Sequence, residues 1–165
     1  MDVAYSPDGT RILTGNADCT ARVWDANTGR ELLCLEGHLD RVSSVEFSPD
    51  GQRILTGSWD QTTKVWDSTS GRTIFTLKGH AAYVRSKGLA GYVRAAKFNP
   101  DGTRLVTASD DKTVKLWDSG TGLEVLTLRN HTRELLSLAM SPDGTRIAAG
   151  TAGIRGDLKI WHARP

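Results

Sequence analysis

The sequence predicts an all-β fold made of repeated units, and three observations support this prediction. The tripeptide Pro-Asp-Gly occurs four times, with its aspartate at positions 8, 50, 101 and 143. One tryptophan follows each copy in the same order, and these are Trp24, Trp66, Trp117 and Trp161. No segment has apolar residues at a sustained spacing of about 3.6 residues, which is the helical period. We therefore expect four similar units of strands and almost no helix.

The length of the repeat indicates the architecture. Successive aspartates are 42, 51 and 42 residues apart, and the tryptophans are 42, 51 and 44 residues apart. A repeat of about 40–45 residues is typical of the four-stranded blades of a β-propeller. We predict a partial propeller over residues 1–165, with blade 1 at about 2–36, blade 2 at about 40–78, blade 3 at about 91–129 and blade 4 at about 133–162. The longer middle spacing predicts a loop inserted at 81–90, before blade 3.

Blade 2 shows how each unit divides into antiparallel strands. Residues 42–47 alternate apolar and polar side chains, which predicts a half-buried first strand. Pro-Asp-Gly then turns the chain, because proline presets φ and glycine accepts a positive φ. The second, third and fourth strands follow at 53–58, 63–67 and 73–77. The last unit stops after its third strand, so we predict that it lacks the outer strand.

The repeated residues resemble the WD repeat of the β-propeller family. In blade 2 the resemblance lies in Gly37-His38, Val45–Gly51, Thr56–Asp60 and Val65-Trp66-Asp67. The same residues recur in frame from Val3 to Trp161. Because the copies are so similar to one another, the chain resembles bacterial arrays of this repeat. The resemblance implies a non-catalytic scaffold that binds a protein or peptide partner.

The resemblance also implies a structural tetrad of hydrogen-bonded side chains in each blade. The members are His38, Thr56 (or Ser58), Asp60 and Trp66 in blade 2, and His80, Thr107 (or Ser109), Asp111 and Trp117 in blade 3. Blade 1 has no histidine, and blade 4 has a longer turn with Ala148 in place of the threonine, which leaves its tetrad open. A histidine, an acid and a hydroxyl also resemble a hydrolase triad. Recurrence in frame, always with a tryptophan, favours the structural role.

Composition and missing motifs exclude several classes of function. Hydrophobic residues make up 38% of the chain and charged residues 24%, with a net charge of +2, so neither nucleic acid nor a membrane is an expected partner. No apolar run approaches the roughly 20 residues of a membrane span, and no signal peptide is visible, so we expect a cytoplasmic protein. Cys19 and Cys34 form no metal-binding pair. No phosphate-binding loop or hydrolase motif occurs, so we predict no catalytic residues, cofactor or metal.

Candidate partner-binding residues follow from the resemblance. In WD repeats, the position three residues after the histidine and the position before the tetrad aspartate often contact partners. Here these positions hold Arg41, Trp59, Tyr83 or Tyr92, Asp110 and Glu134. Trp59 is the tryptophan outside the repeat, and its alternative role is packing over a neighbouring loop.

The inserted loop is a second candidate. Arg85 and Lys87 lie in it, and no acidic residue occurs from Ala81 to Asn99. It could bind an acidic or phosphorylated peptide, or nucleic-acid phosphate. The alternative is a neutral duplication whose charges keep the loop soluble.

Four blades are fewer than a closed ring of the family contains. Uncovered end blades expose apolar faces and favour association. Two chains could complete an eight-bladed ring, or the chain could be part of a longer polypeptide. The alternative to a binding scaffold is therefore a structural assembly unit, which completes its ring by homodimerisation or with the missing part of a longer chain.

Overall fold

The computed structural model describes residues 1–80, 91–129, 131–153 and 156–162, so the predicted inserted loop lies outside it. The described residues form strands and no helix, and hence no helix long and apolar enough to cross a membrane. The strands are β1 (Val3–Tyr5), β2 (Arg11–Gly15), β3 (Ala21–Asp25), β4 (Glu31–Leu35), β5 (Val42–Phe47), β6 (Arg53–Ser58), β7 (Thr62–Asp67), β8 (Thr73–Lys78), β9 (Val93–Phe98), β10 (Arg104–Ser109), β11 (Val114–Asp118), β12 (Glu124–Leu128), β13 (Leu135–Met140), β14 (Arg146–Thr151) and β15 (Leu158–His162).

The strands form four separate antiparallel sheets in chain order. Blades 1, 2 and 3 are the four-stranded sheets β1–β4, β5–β8 and β9–β12, and blade 4 is the three-stranded sheet β13–β15. The innermost strands β1, β5, β9 and β13 contact one another in succession. The predicted all-β partial propeller is confirmed, and blade 4 has three strands within the described residues.

The Pro-Asp-Gly turn is closed by its own side chains. In blade 2 the Gly51 amide donates to the Ser48 carbonyl over 2.8 Å, and the Arg53 amide donates to Ser48 Oγ over 2.9 Å. Asp50 Oδ1 accepts the Ser48 hydroxyl at 2.5 Å and the Gln52 amide at 3.0 Å. Gly51 has a φ of +70°, which glycine adopts without a Cβ clash. These contacts fix the hairpin between the first two strands.

The hydrophobic core lies between the blades. Between blades 1 and 2, Leu13 and Val23 pack with Val45, Phe47 and Trp66. Two further clusters of buried apolar residues join blade 2 to blade 3 and blade 3 to blade 4. Because each sheet buries its faces against its neighbours, the fold is stabilised mainly by contacts between repeats.

An arginine also joins neighbouring blades on the side of the Pro-Asp-Gly turns. Arg11 of blade 1 donates to the Ser68 carbonyl over 2.9 Å and to the Gly51 carbonyl over 3.0 Å, both in blade 2. Its guanidinium carbon lies 5.0 Å from the centre of the Phe47 ring. We call this combination of two carbonyls and one aromatic ring the arginine clamp.

The arginine clamp recurs between blades 2 and 3. Arg53 donates to the Ser119 carbonyl over 2.8 Å and to the Gly102 carbonyl over 2.9 Å, and it lies 5.3 Å from the centre of the Phe98 ring. Arg104 has the same position in blade 3, but it forms an ion pair with Asp118 of its own blade. The clamp is therefore built twice in the described part of the chain.

Candidate functional site

A chain of hydrogen bonds fastens the turn of blade 2 to its strands. Trp66 Nε1 donates to Thr56 Oγ1 over 2.8 Å, and Thr56 Oγ1 lies 2.7 Å from His38 Nε2. His38 Nδ1 lies 2.8 Å from Asp60 Oδ2. Since the indole can only donate, the threonine hydroxyl donates to Nε2, and Nδ1 carries the imidazole proton toward Asp60. Every polar atom of this buried set thereby has a partner.

Blade 3 repeats the same geometry. His80 lies 2.8 Å from Asp111 and 2.7 Å from Thr107, and Trp117 donates to Thr107 over 2.9 Å. Of the two alternative hydroxyls in each blade, the threonine is the one that contacts the histidine. Ser109 instead accepts the Asp111 amide at 3.0 Å, as Ser58 accepts the amide of Asp60 in blade 2.

The surroundings of the two tetrad aspartates favour their ionised form. Burial opposes ionisation of Asp60, but hydrogen bonds from His38, Thr62 and the Leu39 amide outweigh it and hold the pKa of Asp60 well below its ordinary value. Burial likewise opposes ionisation of Asp111, and hydrogen bonding to His80 lowers its pKa. The Thr56 hydroxyl is fully buried and held between two rings. It therefore offers no atom to a substrate.

The tetrad of blade 4 does not form in the described residues. The β13–β14 register pairs Ala149 with Leu138, as the β5–β6 register pairs Thr56 with Val45. The expectation of Ala148 is therefore wrong: Ala149 takes the threonine position. Both ring nitrogens of His131 are consequently buried without a hydrogen-bond partner among the described residues.

His131 should make the stability of the protein dependent on pH. Burial, and the charge of Lys159, lower the pKa of His131 below its ordinary value. The unfolded chain then binds the proton more strongly, so the free energy of unfolding should fall as the pH drops from 7.5 through the ordinary pKa of about 6.5. In His131→Phe this dependence should be weaker, and stability at pH 7.5 should rise by about 1 kcal/mol, because two unsatisfied nitrogens are removed.

Urea denaturation at pH 7.5 and 5.5 measures both effects. His162→Gln is the matched control, because it removes an exposed histidine from the same blade. An equal pH dependence in wild type and His131→Phe would contradict the assignment.

A cluster of stacked side chains lies where the loops of blades 2 and 3 meet. The Trp59 and Tyr92 rings are stacked, with centres 4.7 Å apart and planes at 11°. The guanidinium carbons of Arg41 and Arg94 lie 4.3 Å and 4.4 Å from the centre of the Trp59 ring. Asp110 accepts two hydrogen bonds from Arg94, at 2.8 Å and 2.6 Å. We call these five residues the Trp59 cluster.

The backbone register explains why these residues meet. The Trp59 amide donates to the Arg41 carbonyl over 3.1 Å, and the Asp110 amide donates to the Tyr92 carbonyl over 3.0 Å. Tyr92 therefore occupies in blade 3 the place that Arg41 has in blade 2. The stack joins these equivalent positions of two adjacent blades.

Exposure differs sharply within the Trp59 cluster. The Asp110 side chain is only 7% exposed. Its hydrogen bonds with Arg94 are the main cause of the raised pKa of the Arg94 guanidinium. The Arg41 side chain is 49% exposed, with Asp40 as a distant ion-pair partner at 3.9 Å. Trp59 Nε1 is buried and has no acceptor in the described part of the chain. Arg41 thus has the most exposed side chain of the cluster.

The remaining candidates divide into two groups. Glu134 is half-buried, and its carbonyl accepts the Ala152 amide at 2.9 Å, which places it on the same loops in blade 4. Tyr83, Arg85 and Lys87 lie outside the described residues. Sequence reasoning did not select Arg94, although the adjacent basic and aromatic residues Tyr92 and Arg94 were a visible signal. Among the described residues, no three His, Cys, Asp or Glu side chains gather as a metal site.

These blades and their tetrads define the class of the protein, a partial β-propeller built from in-frame repeats. The chain belongs to the WD domain, G-beta repeat family, whose family model matches residues 1–25, 29–67, 71–118 and 122–162. Proteins of this family generally act as protein-interaction scaffolds and are typically not enzymes.

Curated relatives carry different names. The chain is 36% identical over 170 residues to nuclear distribution protein PAC1 of Arthroderma otae, covering 96% of this chain and 34% of that protein. It is 40% identical over 189 residues to ribosome assembly protein 4 of Chaetomium thermophilum, covering 95% and 36%. It is 29% identical over 160 residues to pre-mRNA-processing factor 19 of Oryza sativa, covering 97% and 29%. The chain thus spans about a third of the length of these relatives.

Proposed function

We propose that this chain is a non-catalytic module that binds a protein or peptide segment through the Trp59 cluster. The observation that carries the proposal is the position of Arg41, whose guanidinium stacks on Trp59 while about half of its side chain is exposed. An arginine held by an aromatic ring loses little conformational freedom when it binds, because its plane is already oriented. Arginine, tryptophan and tyrosine are also the residues that most often dominate binding energy at protein interfaces.

The five residues have different roles in this proposal. Arg41 donates hydrogen bonds to the partner, and Trp59 and Tyr92 provide a rigid aromatic surface beside it. Asp110 is a positioning residue: it is almost fully buried and holds Arg94, whose guanidinium carbon lies 5.4 Å from the centre of the Tyr92 ring. The buried tetrads make the turns that carry these side chains rigid.

A peptide selection with charge-matched variants tests the proposal. Random peptides displayed on phage are selected on the immobilised chain, and the dissociation constants of the enriched peptides are measured by fluorescence polarisation. Arg41→Gln should weaken binding at least about tenfold, since an arginine that dominates an interface typically contributes about 2 kcal/mol or more. Arg72→Gln removes the same charge from an exposed turn on the opposite side of blade 2 and should change binding less than about twofold.

Two outcomes would overturn the proposal. The first is that no peptide is enriched over an unrelated protein. The second is that enriched peptides bind Arg41→Gln and Trp59→Leu as tightly as wild type. Circular dichroism of both variants confirms that they are folded before binding is compared.

A further inference from the structure

Two arginines contact the Trp59 ring in nearly the same way, but only one of them binds a carboxylate among the described residues. The guanidinium carbons of Arg41 and Arg94 lie 4.3 Å and 4.4 Å from the ring centre. Arg94 donates from Nε and Nη2 to the two carboxylate oxygens of Asp110, over 2.8 Å and 2.6 Å. Such paired, charge-assisted hydrogen bonds are strong and fix the geometry of both groups. The Arg94–Asp110 pair therefore shows how a carboxylate binds a guanidinium that lies against this ring.

Arg41 has no equivalent partner in the part of the chain that the structure describes. Asp40 Oδ1 accepts the backbone amide of Arg41 at 2.7 Å, but it lies 3.9 Å from Arg41 Nε, which is too far for a hydrogen bond. The two side chains are 49% and 45% exposed, so water and salt screen the attraction between them. The positive charge and the N–H donors of Arg41 are therefore available to a partner.

The charge of the Trp59 cluster favours an anion as that partner. The cluster has two positive charges, on Arg41 and Arg94, and one negative charge, on Asp110. Both carboxylate oxygens of Asp110 already accept hydrogen bonds from Arg94. A carboxylate or a phosphate accepts hydrogen bonds and donates none when it is ionised, so it complements the free donors of Arg41.

The same geometry disfavours a cationic partner. Aromatic rings attract lysine and methylated lysine through their faces. The Trp59 ring already contacts the guanidinium groups of Arg41 and Arg94, and Arg94 also lies 5.4 Å from the centre of the Tyr92 ring. A further cation would meet two like charges beside these rings, which costs binding energy.

We propose that the segment bound by the Trp59 cluster carries an anionic group, a carboxylate or a phosphate, that accepts hydrogen bonds from Arg41. The inference rests on the proposed function, because it names the chemistry of the partner at the same site. The partner's anion pairs with Arg41 as Asp110 pairs with Arg94. Asp40 weakens this contact, because its negative charge lies beside Arg41 and repels the anion.

Two phage libraries test the need for an anion. One displays random peptides, and the other displays random peptides that contain no aspartate or glutamate. In both libraries the carboxyl end of the peptide is fused to the coat protein, so it offers no free carboxylate. We expect the first library to yield peptides that bind the immobilised chain more than an unrelated protein, and the second to yield none.

Fluorescence polarisation then measures how the two charges depend on each other. Each acid of an enriched peptide is replaced in turn by its amide. At one position this change should weaken binding to wild type at least about tenfold, but binding to Arg41→Gln less than about twofold. Asp40→Asn should tighten binding about two- to threefold, since it removes a repelling charge. Arg72→Gln, at an exposed arginine on the opposite side of blade 2, is the control and should change binding less than about twofold.

A phosphoserine at the identified position distinguishes the two sources of the anion. Tighter binding of the phosphoserine peptide than of the original peptide would assign the site to a phosphorylated segment. Tighter binding of the original peptide would assign it to an acidic side chain.

Two results would overturn the inference and leave the proposed function intact. One is an acid-free peptide that binds wild type and loses affinity for Arg41→Gln, which would show that Arg41 binds neutral carbonyls, as Arg11 and Arg53 do within the fold. The other is an acid whose removal weakens binding to wild type and to Arg41→Gln equally. If neither library yields a peptide, the proposed function fails and the inference fails with it. Circular dichroism verifies that each variant is folded.

Discussion

Replacing Thr107 with valine should lower the free energy of unfolding by about 2–5 kcal/mol, the largest effect we expect from one substitution. The hydroxyl of Thr107 lies between His80 Nε2 and Trp117 Nε1, at 2.7 Å and 2.9 Å, and the residue is fully buried. Valine has nearly the same shape but no hydroxyl, so both nitrogens lose their partner where water cannot replace it. Burying two unsatisfied polar groups costs more than the two hydrogen bonds contribute.

Thr14→Val is the matched control for this prediction. Thr14 accepts a hydrogen bond from Trp24 Nε1 at 3.0 Å, but blade 1 has no histidine, so only one bond is lost. Its cost should be about 0.5–1.5 kcal/mol. Urea denaturation followed by circular dichroism gives both values. Equal losses in the two variants would show that His80 adds nothing to the stability of blade 3.

Replacing Arg53 with glutamine should lower the free energy of unfolding by about 1.5–3 kcal/mol. Arg53 donates to the Gly102 and Ser119 carbonyls of the next blade and stacks on Phe98. Glutamine is too short to reach both carbonyls and has no charge, so the two charge-assisted hydrogen bonds and the cation–π contact are lost together.

Arg104→Gln separates the effect of the clamp from the effect of charge. Arg104 has the same strand position, but its ion pair with Asp118 is partly exposed, at 42% and 32% for the two side chains. Such pairs contribute about 0–1 kcal/mol, so this variant should be nearly as stable as wild type. If Arg104→Gln were as unstable as Arg53→Gln, the clamp would not be the source of the loss.

The strands were predictable from the sequence because local residue types specify them. Pro-Asp-Gly fixes the turn through proline, the aspartate side chain and a glycine with positive φ, and the structure has this turn at Gly9, Gly51, Gly102 and Gly144. Alternating apolar residues then determine which face of each strand is buried. Three turns place a non-glycine residue at positive φ, namely Cys19, Gln61 and Lys112, and no residue type marks that position.

The contacts between blades were not predictable from the sequence. Arg11 and Arg53 follow a turn and have the sequence context of solvated charges, and only the packing of blades shows that they cross to the next repeat. The Trp59 cluster was predictable only in part. Arg41 and Trp59 follow from their repeat positions, but Arg94, which Asp110 of its own blade orients, reaches Trp59 from the neighbouring blade 3. Contacts between side chains of different blades depend on how the blades pack, and the spacing of residues in the sequence does not predict that packing.

The strand order within each sheet has a consequence for how the protein forms during synthesis. Every strand is hydrogen-bonded only to strands adjacent in sequence, so each sheet closes through short loops and has low contact order. The strands of one blade can therefore meet once about 40 residues have left the ribosome, but a single blade cannot bury its apolar faces alone. The face of blade 1 that carries Leu13 and Val23 stays exposed until blade 2 emerges and covers it. Each blade thus becomes stable only when the next repeat has been made.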